Sequence, residues 1–224
     1  MTKHRKISLT AGLLYLLTFV SIPTLTMYTQ VKGNNYILGA GPDTTTIIAA
    51  LLEITIALAG IATAVVLFPI LKKQNESASL GLVAARILES SAILVGVAFI
   101  LTIVTMRQTG AGADSLATSH AFAAFHNRMF LLSQSFMPAI CDLLLGFLLF
   151  KSRLVPRALS LIGILGAPLL LVGYFAVMFG LLEQRAPLAG AFAIGVALFE
   201  FSLGVWLVVK GFNPKAVAAL EAKN

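Results

Sequence analysis

Arg86 and Glu89 lie three residues apart inside a long apolar run from Leu80 to Met106. That spacing puts both side chains on one helix face. An ionised group in hydrocarbon costs at least ~2.5–3.5 kcal/mol on insertion scales, so the pair must turn inward, to protein partners or water. Glu53, Asp142 and Glu200 raise the same problem in three further apolar runs. Helical steps of three and four align Glu53 with Ala57, Gly60 and Ala64, and Glu89 with Ala85, Ala92 and Gly96. They align Asp142 with Ser135, Pro138 and Gly146, and Glu200 with Ala193, Ala197 and Gly204. Small residues mark the faces on which membrane helices touch. The acids are therefore expected to face the interior of a bundle.

Depth follows from a rise of about 1.5 Å per residue. Arg86, Glu89, Asp142 and Glu200 each fall roughly 10–15 Å from the same end of their runs and can share one level. Glu53 lies nearer the opposite end and belongs to another group. One arginine facing three carboxylates does not balance. A guanidinium satisfies one carboxylate bidentately and part of a second. The remainder calls for a proton, a cation or water, the needs that proton relays and ion pathways exploit. The same network can instead serve only to fix which helix packs where.

At the opposite end, Glu53, His126 and Arg128 form a second set of polar candidates, with His120, Asn127 and Gln134 nearby in sequence. Two histidines six residues apart lack the spacing of a helical metal motif, and no metal site is expected. Cys141 is the only cysteine, so a multi-cysteine metal site and an intrachain disulfide are excluded. It is expected to be a small buried hydrophobe. Ser90, Ser91, Ser133 and Ser135 sit in apolar runs with no histidine at their expected depth, so nucleophilic catalysis gains little support. No residue is assigned a catalytic role, and no cofactor is expected.

These residues need helices to hold them in place. Hydrophobic residues make up 58% of the chain and charged ones 11%, against about 25% charged in an ordinary soluble domain. The pattern predicts an all-α integral membrane bundle of six transmembrane helices, at about 9–28, 46–71, 79–106, 128–150, 158–182 and 187–209. A basic segment 1–8 precedes the domain 9–210, and a polar tail 211–224 follows it. Asp43 is expected to cap the second span, and Ser77 or Ser79 the third. Residues 107–127 are expected to form the longest connection, with Ser119 to Phe125 as a helical extension at the interface. Tyr28 and Tyr36 suit a membrane–water interface.

Six spans place both termini on one side. That side collects eleven lysines and arginines, including Lys72, Lys73, Lys151, Arg153, Arg157, Lys210 and Lys223. The other side holds Lys32, Arg107, Arg128 and Arg185. The bias predicts both termini in the cytoplasm. It also accounts for the net charge of +7 as orientation and headgroup contact, leaving no basic patch on a soluble surface for nucleic acid.

Several stretches carry a resemblance: Ala11-Gly-Leu-Leu-Tyr-Leu16, Glu53 with Leu67-Phe-Pro69, Ala85-Arg-Ile-Leu-Glu89, Ser152-Arg-Leu-Val-Pro-Arg157 and Leu207-Val-Val-Lys-Gly-Phe212. Together they resemble the bacterial six-span family catalogued as Domain of Unknown Function 4386. That resemblance implies a six-helix membrane protein and no activity. The expected location is the bacterial cytoplasmic (plasma) membrane. The leading expectation is a small carrier or binding protein for an amphiphile or cation, with Arg86, Glu89, Asp142 and Glu200 as its site. A membrane-embedded lipid-modifying enzyme and a structural or regulatory subunit are the alternatives, and the balance leans away from an enzyme. Expected partners are the bilayer, that ligand, and further copies of the chain if it forms a homo-oligomer.

Overall fold

The computed structural model describes residues 1–33 and 35–222. Asn34, expected in the first polar loop, and Lys223, counted with the basic residues above, lie outside the described residues, as does Asn224. Among the described residues the fold is all helical, and six helices are long and apolar enough to cross a membrane.

The first crossing, Lys3–Met27, is helix α1 (Lys3–Thr18), a short 3-10 turn, and helix α2 (Thr24–Met27). Pro23 has no N–H to donate, so the chain cannot continue as one regular helix. Nearby hydroxyls serve the carbonyls around this break. Thr24 Oγ1 donates to Ser21 O at 2.7 Å and Thr26 Oγ1 to Pro23 O at 3.0 Å. Helix α3 (Thr44–Leu71) and helix α4 (Glu76–Gln108) are the next two crossings. Asn75, rather than Ser77 or Ser79, caps α4, its side chain accepting from the Ala78 N–H at 2.9 Å. Asp43 stands at the N-cap of α3 but makes no side-chain cap bond, because its carboxylate is engaged elsewhere.

The fourth crossing departs most from expectation. Helix α5 (Leu116–Leu131), a π-turn at Leu132–Phe136 and helix α6 (Met137–Ser152) form one path, Ala113–Ser152. Most of the expected connection 107–127 is therefore helix. Phe122 and Phe125 each pack on Phe99 of α4, with ring centroids 5.7 and 5.0 Å apart, which gives this extension an anchored face. Pro138 cannot donate to a carbonyl one turn earlier, and the wider π-turn lies at that point in the ladder. Helix α7 (Arg157–Met178), helix α8 (Pro187–Val209) and the short helix α9 (Pro214–Glu221) complete the chain. His4 Nε2 meets Glu221 Oε1 at 2.9 Å, so both terminal segments lie at one end of the bundle.

The helices close a ring: α1 on α3, α3 on α4, α4 on α5 and α6, α6 on α7, α7 on α8, and α8 back on α1. Small residues set the closest crossings. A Cβ added at Gly12 would fall 2.7 Å from Gly204 O, and one at Gly166 2.8 Å from the Gly195 carbonyl carbon. Outward faces carry exposed aliphatics such as Leu58, Leu88, Leu165 and Ile194, as a lipid-facing surface requires.

Candidate functional site

Arg86 projects from α4 into the ring and is 4% exposed. Its Nη1 donates to both Glu89 oxygens at 3.0 Å. Its Nη2 donates to Glu200 Oε1 on α8 at 2.8 Å and to Tyr15 OH on α1 at 3.3 Å. Asp142 Oδ1 on α6 lies 3.8 Å from the same nitrogen. Arg86, Glu89, Asp142 and Glu200, placed at one level by spacing alone, thus converge on one guanidinium. Asp142 is fully buried, and neither of its oxygens has a hydrogen-bond partner among the described residues. The gap to Arg86 is too long for a hydrogen bond.

Two members of this network escaped the sequence reading. Tyr15 is fully buried, with the Arg86 guanidinium 5.7 Å from its ring centroid. Cys141 is no mere hydrophobe, since its thiol donates to Glu89 Oε2 at 3.3 Å. Cys141 directly precedes Asp142, and Tyr15 belongs to a stretch already singled out, Ala11 to Leu16. Neither residue carries a formal charge, and an uncharged residue in an apolar run gives no sign of a polar partner. Ser90 also bridges helices: its hydroxyl donates to Ala57 O on α3 at 2.7 Å, whereas Ser91 bonds back to Ile87 O at 2.8 Å.

Glu53 belongs to a separate group, toward the end away from the termini. Its Oε2 accepts from Tyr28 OH at 3.2 Å and lies 3.6 Å from His126 Nε2. Tyr28 and His126 also meet edge to face, with centroids 5.0 Å apart. Tyr28 and Tyr36 are buried within the protein, Tyr36 donating to the Asp43 carboxylate. Ser133 shares a void of about 10 Å³ with Glu53 and His126, so a histidine does reach the depth of one span serine. His120 and Arg128 are exposed and stand apart. Glu53 and His126 are the two metal-type donors that meet here. Among the described residues no three His, Cys, Asp or Glu side chains converge as a metal site.

Beside this group opens a cavity of about 840 Å³, lined by the first crossing, α5 and its π-turn, α7, and the loop into α8. Leu25, Leu170 and Val177 make apolar wall. Lys32, Asn127, Gln184 and Arg185 supply polar groups, and Glu183 also lines it. Lys32 Nζ donates to Asn127 Oδ1 at 2.8 Å and lies 5.5 Å from the Tyr28 ring centroid. Among the described residues, no carboxylate comes within ion-pair distance of Lys32 or Arg185. Burial, with Arg185 adding to it, pushes the Lys32 ammonium down to about 8, against a weaker pull upward from Glu53. Arg86 is not among the lining residues. Ser135 and Ala193 are, and they lie seven positions from Asp142 and Glu200, about 10 Å of helix rise. The cavity therefore sits about two turns from the Arg86 network.

A closed ring of six membrane-crossing helices, with a buried arginine–carboxylate network and a separate cavity, defines a polytopic helical membrane protein. The chain belongs to the family described as Domain of unknown function (DUF4386), whose model matches residues 10–211. No curated protein and no solved structure matches it.

Proposed function

We propose that this protein is a small binding protein or carrier of the bacterial plasma membrane, with both termini cytoplasmic, that takes an amphiphile with an acidic head into the 840 Å³ cavity. The observation that carries this reading is the pairing of apolar wall with two cations, Lys32 and Arg185, that have no carboxylate at ion-pair distance among the described residues. Apolar pockets with a few convergent polar groups are the usual form of a small-molecule site. In this reading the Arg86 network locks α1, α4, α6 and α8 together beneath the cavity. Asp142, without a hydrogen bond among the described residues, is the acid available to exchange a proton. The lysine and arginine bias supports the orientation.

Binding of dodecanoate and dodecanol to the purified chain in phosphatidylcholine nanodiscs tests the proposal. Gly190 lines the cavity and a Cβ there meets nothing within 4 Å, so Gly190→Phe adds bulk at the cavity wall without a backbone clash. Dodecanoate should bind the unmodified protein more tightly than dodecanol, and Gly190→Phe should weaken binding of both. Unaltered binding in Gly190→Phe would sink the reading. A second reading, an enzyme acting on the same amphiphile, is favoured by His126, which lines the cavity and faces Glu53. Chemical turnover of an acyl ester, lost in His126→Gln, would select it.

A further inference from the structure

At the end that carries both termini, two motifs left unused by the cavity come together. Residues 153–157, from the turn before α7, and residues 206 and 210–214, from the end of α8 and the start of α9, form the walls of a second cavity, about 570 Å³ in volume. Its lining includes Arg153, Arg157 and Lys210, together with Trp206. No aspartate or glutamate lines it. Among the described residues none of the three cations has a carboxylate within ion-pair distance.

The walls are built rather than loose. Leu154 and Val155 are buried, and the Asn213 N–H donates to Leu154 O at 2.9 Å, tying the two segments together. Gly211 has φ 76° and Arg153 φ 56°. Arg153 is thus held in the left-handed region, which a non-glycine residue occupies at a cost. The Arg157 guanidinium lies 4.8 Å from the Phe150 ring centroid. The cavity sits where α7 begins and α8 ends, with exposed aliphatics Leu161 and Leu165 of α7 and Val205 and Val209 of α8 running away from it. Three cations beside exposed aliphatic residues match a phosphate joined to acyl chains. Basic pockets between transmembrane helices hold anionic lipid headgroups in this way.

We propose that this cavity is a binding site for the phosphate of an anionic phospholipid, held by Arg153, Arg157 and Lys210 with its acyl chains along α7 and α8. The site is independent of the amphiphile cavity at the other end, and either can fail without the other.

Trp206 is the single tryptophan of the chain and lines the site, so the unmodified protein reports on it. The full chain is placed in phosphatidylcholine vesicles containing phosphatidylglycerol or phosphatidylcholine brominated on the acyl chains near the headgroup. Brominated phosphatidylglycerol should quench Trp206 more strongly than brominated phosphatidylcholine at equal mole fraction. Equal quenching overturns the proposal. Arg157→Gln and Lys210→Gln should each weaken the preference about fivefold, and Arg153→Asn, which tolerates the left-handed backbone, likewise. A preference unchanged in all three also overturns it. Displacement of the brominated lipid by inorganic phosphate as readily as by unbrominated phosphatidylglycerol would mean a free-anion site and overturn the lipid assignment.

Discussion

Arg86 Nη2 and Glu200 Oε1 lie 2.8 Å apart, joining α4 to α8 across the centre of the ring. The same guanidinium holds Glu89 on its own helix and Tyr15 on α1. In hydrocarbon this arrangement leaves little freedom, because each donor withdrawn strands an acceptor in a medium that cannot replace it.

Arg86→Ala is expected to lower the unfolding free energy by about 3–5 kcal/mol, since it leaves carboxylates buried without their cation. Unfolding of the detergent-solubilised protein by denaturing detergent measures the loss. Arg86→Lys should recover only part, as an ammonium cannot fork to Glu89 and Glu200 together. Arg86→Met combined with Glu89→Gln and Glu200→Gln should be more stable than Arg86→Ala alone.

Dodecanoate affinity should fall as pH rises through about 8. Lys32 is held below the ordinary lysine range, first by burial and then by Arg185, so it gives up its proton early. Glu53 acts the opposite way, and Tyr28, His126, Tyr174, Glu183 and Arg185 are the other titratable groups that line the cavity with Lys32. A bound carboxylate holds the proton on, which places the midpoint of the complex higher than that of the free protein. Calorimetric titration across pH 6–10 checks the sign. Lys32→Arg should flatten the profile, and a profile rising with pH would contradict the assignment.

Gly166→Leu should cost about 1–3 kcal/mol or more, as overpacking does. Its Cβ would fall 2.8 Å from the Gly195 carbonyl carbon, which is backbone and cannot swing aside. Gly190→Ala on the same pair of helices should be neutral to about 1 kcal/mol stabilising, because it meets open space and favours the helix. Thermal unfolding of the two variants side by side measures the contrast.

The loop before α3 should loosen in acid. Burial pushes the Asp43 carboxyl up, but hydrogen bonds from Tyr36 and Gln108 and the charge of Arg107, 2.6 Å away, outweigh it and hold it below its ordinary range. A depressed acid contributes stability above its unfolded pKa, lost as pH falls through the folded one. Arg107→Gln should move that loss to higher pH, read by hydrogen exchange of residues 35–43.

The inward aim of Arg86, Glu89, Asp142 and Glu200 was legible in the sequence because hydrocarbon allows so few alternatives. Each acid lies on its helix's stripe of small residues, and length plus spacing put all four at one depth. The family assignment was legible for a similar reason, in motifs that cover most of the chain. Tyr15 and Cys141 were not legible, since an uncharged residue in an apolar run gives no signal of its partner.

What the chain's chemistry alone determined was six crossings and a polar level that must be buried, both consequences of excluding charge and unpaired backbone from lipid. Tertiary structure decided which helix stands beside which. Ring order brought Glu53 to His126 and Tyr28, left Arg128 outside, and opened the cavity around Lys32 and Arg185 instead of around Arg86. Pairwise neighbours depend on how side chains of different helices interlock, and that information is spread over the whole bundle rather than written in any one segment.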